Sequence, residues 1–128
     1  MLVTLKEILK DAEDKKYGVG LFNMLNLEMA RGIIDAAEEE RSPIILGVAE
    51  VHLPVIPFDY ACHIMNKIAK EATVPVCFHL DHGPSELEPT RSLRYGATGI
   101  ILDGSTLPFE ENIALTKRVV DICGFADV

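Results

Sequence analysis

The stretch Val76–Gly83, VCFHLDHG, decides how the chain is read. An apolar run enters a His-Leu-Asp-His cluster and stops at a glycine. Two imidazoles and a carboxylate cost free energy if buried without partners, so a strand ending in them needs a reason. One reason is chemistry at the mouth of a barrel; the other is a polar strand end satisfied by backbone carbonyls. On a strand, side chains alternate between faces, so Cys77, His79 and Asp81 share one side while Phe78 and Leu80 face covering helices. His82 falls at the start of the loop, where alternation lapses and its ring can turn over the mouth.

The same rhythm runs outward along the chain. Apolar runs at 18–23, 43–49, 75–81 and 99–105 are each followed by a helical stretch. The runs IILGV, VPVCF and GIIL are apolar on both faces, which suits parallel strands covered by helices. The helices are expected at 27–40, 57–71, 85–95 and 109–123, with a leading helix at 4–12 that is amphipathic and acidic. Ser85 and Glu88 stand three apart before the third of these, the spacing of a capping box. Four βα units fit an α/β fold of two kinds: an open doubly wound sheet, or the first half of a (β/α)8 TIM barrel. No G-x-G-x-x-G follows the first strand, which counts against dinucleotide binding. A complete barrel takes about 250 residues; if the chain is a barrel, 1–128 holds only its first half, as a single half-barrel domain.

Strand three ends His79-Leu-Asp-His82 and strand four ends Ile101-Leu-Asp-Gly104, placing Asp81 and Asp103 in matching positions. Carboxylates at the C-terminal ends of successive strands are what a barrel active site looks like in sequence; Asp-Gly is also a common turn pair. His82, Asp103 and possible help from His79 make a candidate metal set, without an HxxEH-type pair. His52, after strand two, and His63, on the second barrel helix, read as structural or solvated.

Composition narrows the function. The chain has 128 residues, 48% hydrophobic and 25% charged, and a net charge of −8. An acidic surface argues against a nucleic-acid or anionic-membrane partner, while a small anionic substrate remains compatible through one local cation. No apolar run reaches the roughly 18 residues of a membrane span. Cys62, Cys77 and Cys123 are odd in number and widely spaced, as in reduced, buried thiols of a cytoplasmic protein.

The chain resembles the N-terminal half of the class II, zinc-dependent fructose- or tagatose-bisphosphate aldolases. The likeness runs from Leu5 to the last residue through Tyr17–Asn23, Asn26–Glu28, Ala36–Val48, Val74–Val76, His79–Gly83, Leu102–Ser105 and Leu107–Asn112; the His-Leu-Asp-His-Gly run is its most specific part. The resemblance implies reversible aldol cleavage of a phosphorylated ketose in glycolytic carbohydrate metabolism. For fructose 1,6-bisphosphate the products are dihydroxyacetone phosphate and glyceraldehyde 3-phosphate. It implies Zn2+ as the Lewis acid that stabilises an enediolate. Residue by residue, Asp81 matches the proton donor, His82 a zinc histidine, Asp103 a carboxylate of a second metal position, and Asn23 an asparagine near substrate. No Schiff-base lysine is required, and Lys67 and Lys70 sit on an expected outer helix. Where many relatives carry a phosphate-binding serine after strand two, this chain has Ala49. The other two zinc histidines, a metal-binding glutamate and glycine-rich phosphate loops belong to the family's second half. The isolated chain is therefore expected to bind zinc poorly and to be inactive unless a partner supplies them. The alternative expectation is a non-catalytic half-barrel that self-associates as a homo-oligomer to close its open edges.

Overall fold

The computed structural model describes residues 1–128. The elements are α1 (Leu5–Lys15), β1 (Gly20–Asn23), α2 (Leu27–Glu39), β2 (Ile44–Ala49), α3 (Phe58–Glu71), β3 (Val76–Gly83), α4 (Leu87–Arg94), β4 (Gly99–Leu102) and α5 (Phe109–Phe125), with a 3₁₀ turn at Glu50–His52. The four strands form one sheet in the order β1-β2-β3-β4, and every pairing is parallel. A doubly wound sheet reverses its strand order and takes helices on both faces. Here the order never reverses, which is the arrangement of the first four units of a (β/α)8 barrel.

Alternation along the strands separates two cores. Ile44, Leu46, Val48, Val76, Phe78 and Leu80 point outward and join Ala30, Ile34 and Ala37 of α2 and Ala61, Met65 and Ala69 of α3 in the main apolar cluster. The inward residues Ile45 and Cys77 form a second, smaller cluster with Ile8 of α1, flanked by Val3, Leu5 and Val19. Helix α1 thus plugs the N-terminal end of the half-barrel, tied down by Val3 N–H to Val76 O and Leu5 N–H to Thr98 O. Thr4 begins it with a complete capping box, its hydroxyl accepting from Glu7 N–H while the Glu7 carboxylate accepts from Thr4. Both outer strands have an unpaired edge. Every residue of β1 except Asn23 is exposed, and Phe22 is 53% and Ile101 39% accessible.

The capping box expected at Ser85 and Glu88 does not form. Helix α4 starts two residues later, with Glu86 at its N-cap and no side-chain cap. The Ser85 hydroxyl donates instead to the Glu50 carboxylate, 3.3 Å from each oxygen, and Glu88 is buried against Arg91 at 2.8 Å. Charged acceptors out-compete a neutral backbone contact for the same groups. Strand β3 runs two residues past its expected end, and β4 stops at Leu102, because Ser105 N–H turns back onto Asp103 Oδ1 at 3.0 Å. No helix is long and apolar enough to cross a membrane.

Candidate active site

The strand-end cluster owes its geometry to an irregularity in β3. His79 pairs with Gly99 and Leu80 with Ile100, but Gly83 pairs with Leu102, so Asp81 and His82 together stand opposite Ile101. A bulge of this kind re-aims side chains at strand ends. His82 takes the left-handed conformation, φ 44°, uncommon for a residue with a β-carbon. Two consecutive side chains therefore reach the same mouth. Asp81 is buried, and the His82 side chain is 64% exposed.

His82 Nδ1 lies 3.0 Å from Asp103 Oδ2, and its Nε2 lies 3.9 Å from Asp81 Oδ1. The bond to Asp103, with the Asp81 charge behind it, raises the imidazole above its ordinary pKa. Hydrogen bonds from Ser105, then from His82, pull Asp103 down to about 2. The carboxylate of Asp103 thus selects the Nδ1–H tautomer and leaves Nε2 bare, as a carboxylate behind a metal-binding histidine does.

Asn23 meets Asp81 from two strands away, its Nδ2 donating to Asp81 Oδ2 at 2.8 Å. The bond crosses β2, whose inward residues at this level are only Gly47 and Ala49. Gly47 pairs with both Asn23 and His79, and Ala49 pairs with Asp81. A methyl group on Gly47 would sit 2.6 Å from Asn23 Oδ1. Small residues on the middle strand are what allow the outer two to touch.

The structure brings Asn23, Asp81, His82 and Asp103 together and leaves the other histidines outside. His52 Nδ1 accepts from Ala49 N–H at 3.4 Å, and His63 Nδ1 is 2.7 Å from Asp59 O with its ring edge-on to Tyr95. His79 is buried one level below Asp81, and burial holds its ring below the ordinary pKa. Cys62 and Cys77 are buried free thiols, pushed up by desolvation to about 12 and about 11; neither is poised as a nucleophile or ligand. Lys67 is on α3 and pairs with Glu71 at 2.5 Å. Sequence reasoning missed the Glu50–Ser85 pair beside Gly83, which only the fold brings together. For zinc, His82 fits as one donor with its orienting carboxylate, but no group of three His, Cys, Asp or Glu side chains stands close enough to hold an ion unaided.

Known proteins are similar to this chain in sequence and in fold. Residues 3–128 match the family described as fructose-bisphosphate aldolase class-II. The chain is similar to the probable fructose-bisphosphate aldolase of Bacillus subtilis (strain 168), 42% identical over 130 residues covering 99% of this chain and 46% of that protein. It is also similar to the fructose-bisphosphate aldolase of Thermus caldophilus, 42% identical over 125 residues covering 94% of this chain and 39% of that one. The crystal structure of the YdjI aldolase from Escherichia coli K12 superposes with a TM-score of 0.95 at 38% identity, covering 100% of this chain and 50% of its own. The chain spans about half the length of the relatives it matches or less. By sequence and by fold, it belongs to the class II fructose-bisphosphate aldolase family.

Proposed function

We propose that the strand-end cluster is one half of a zinc-dependent aldol-cleavage site acting on a ketose bisphosphate, fructose 1,6-bisphosphate or its tagatose isomer. The observation that carries this reading is the facing pair at the mouth: a bare imidazole nitrogen, His82 Nε2, 3.9 Å from Asp81 Oδ1. When bound, zinc supplies Lewis-acid stabilisation of the charge that carbon–carbon cleavage leaves on the ketone fragment. His82 Nε2 is the ligand this chain offers, held in the right tautomer by Asp103. A role for Asp103 at a second metal position fits less directly, because both of its oxygens already accept hydrogen bonds, from Ser105 N–H and from His82.

Asp81 carries the proton. Asn23 holds Oδ2, which leaves Oδ1 to take the hydroxyl proton as the bond breaks and to return it in the condensation direction. Asn23 also lies at the C-terminal end of β1, beside the space a substrate would fill. The phosphate groups and the remaining zinc donors must be met by groups facing this half-barrel.

A second observation favours self-association as part of the same account. The unpaired edges of β1 and β4, with Leu21, Phe22 and Ile101 exposed on them, are complementary parallel edges. A second copy related by a two-fold axis along the barrel would pair β4 with β1 twice over and close eight strands. The test of function is to combine the chain with the second half of the Bacillus subtilis relative and assay cleavage of fructose 1,6-bisphosphate. Chelator-sensitive activity that Asp81→Ala lowers by at least about a hundredfold is expected. A folded complex that cleaves nothing, or one indifferent to Asp81→Ala, contradicts the reading.

A further inference from the structure

One level below Asp81, the inward row Asn23–Gly47–His79–Gly99 crosses all four strands in register. It alternates polar side chain and glycine, and each polar group occupies the space the next glycine leaves. A methyl on Gly47 would sit 2.6 Å from Asn23 Oδ1, and one on Gly99 would sit 2.6 Å from His79 Nδ1. The row holds three buried polar atoms without a hydrogen-bond partner, Asn23 Oδ1, His79 Nδ1 and His79 Nε2, and the only other such side-chain atom is Asn66 Oδ1. His79 is only 1% exposed. Buried groups of this kind are normally satisfied by protein or by an ordered water.

The roles within the row are constrained. Asn23 already spends its Nδ2 on Asp81 Oδ2, so its free Oδ1 needs a donor. Asn23 cannot donate to its own Oδ1, so of the two orphaned residues in the row only His79 can supply an N–H toward it. Nδ1 is turned to Gly99, on the side away from β2, while Gly47, on the near side, carries no side chain to block the path from Nε2 to Asn23. Gly47 separates the strands of His79 and Asn23, and buried polar groups left without a protein partner are commonly bridged by an ordered water.

We propose that His79 is a positioning residue for Asp81, acting through Asn23: its Nε2–H donates to one ordered water, whose O–H donates to Asn23 Oδ1. The carboxamide is thereby fixed with its Nδ2–H turned toward Asp81 Oδ2, and Asp81 Oδ1 is left to face His82. The consequence for catalysis rests on the reading of Asp81 as the proton-transfer group, but the hydrogen-bonded chain itself does not. Burial, which keeps the ring neutral, agrees with a histidine that gives one N–H and is not an ion.

The test is made on the 15N-labelled chain by NMR, so it needs no activity. Long-range 1H–15N correlation should show His79 as the neutral Nε2–H tautomer, with a slowly exchanging proton that cross-relaxes with bound water. Hydrogen exchange at the Asn23 side-chain amide should speed up by at least about fivefold in His79→Phe, the factor one lost hydrogen bond gives. His79→Gln, which restores an N–H donor, should bring it back. An Nδ1–H tautomer in the wild-type chain overturns the proposal, and this arm decides the matter even if His79→Phe does not fold. Unchanged Asn23 exchange in a folded His79→Phe also overturns it. If Asn23 responds as expected and Asp81→Ala costs no activity in the combined barrel, the chain of hydrogen bonds stands and the aldolase reading fails.

Discussion

Asp81 and His82 share a place in the ladder that a regular strand gives to one residue, and most of the site's chemistry follows from that. The left-handed backbone at His82 costs about 1–2 kcal/mol for a residue with a β-carbon and none for glycine. His82→Gly and His82→Ala remove the same contact to Asp103, so the glycine variant should be the more stable of the two by about 1 kcal/mol in urea unfolding. Equal stabilities would mean that the bulge is not strained. The His82–Asp103 pair also sets a pH dependence. The folded-state pKa of His82 is raised, chiefly by Asp103. Its contribution to stability is therefore fully present below the ordinary histidine value and is lost as pH rises through the folded pKa. An NMR titration should find the His82 midpoint above that ordinary value and lower in Asp103→Asn. Because a metal binds the neutral ring, zinc affinity should climb over the same pH window in which this stabilisation fades. Across β2, Gly47→Ala forces Asn23 Oδ1 to move from a position 2.6 Å from the new methyl. It should cost about 1–3 kcal/mol as overpacking and detach Asn23 from Asp81, seen as a changed Asn23 side-chain amide resonance.

At the scale of elements, the helices differ in how they begin. Thr4 and Glu7 satisfy two orphan N–H groups of α1 reciprocally, so Thr4→Ala should lower stability by about 1 kcal/mol in thermal or urea unfolding. Ser85→Ala removes no cap, because Ser85 bonds Glu50, and should leave the helical signal of α4 intact. This contrast marks what the sequence can convey. The pattern S-x-x-E was visible at 85–88, but Glu50 stands 35 residues away and only the fold makes it a competitor. The four βα units were legible because their apolar runs are long and their periods change cleanly from strand to helix. Strand ends were less so: β3 gained two residues through its bulge, and β4 lost its tail to the turn at Asp103. Within the site, Asp81, His82 and Asp103 stood out by type and position. The Asn23–Asp81 bond did not, because it depends on parallel register across β2 and on two side chains that are nearly absent there, Gly47 and Ala49.

For the whole molecule, α1 closes the N-terminal end of the half-barrel, the helices cover the outer face, and the two sheet edges stay unpaired. The proposed eight-stranded closure would remove both edges and bring a facing set of donors to the mouth where His82 Nε2 is bare. If the proposed edge-to-edge closure forms, Phe22→Lys on the β1 edge should shift the chain from dimer toward monomer in sedimentation analysis. Zinc retention should follow assembly, because one imidazole and its carboxylates hold an ion weakly and the facing half multiplies the donors. A metal-centred strand-end cluster and a merely polar strand end differ in whether they hold zinc. Native mass spectrometry of the chain with added zinc reads assembly and bound metal together, for the wild type, His82→Ala and His63→Ala. A dimer that carries zinc is expected, with zinc lost from His82→Ala and kept by His63→Ala. A zinc-free assembly, or equal zinc retention in the two variants, would contradict the metal-centred site.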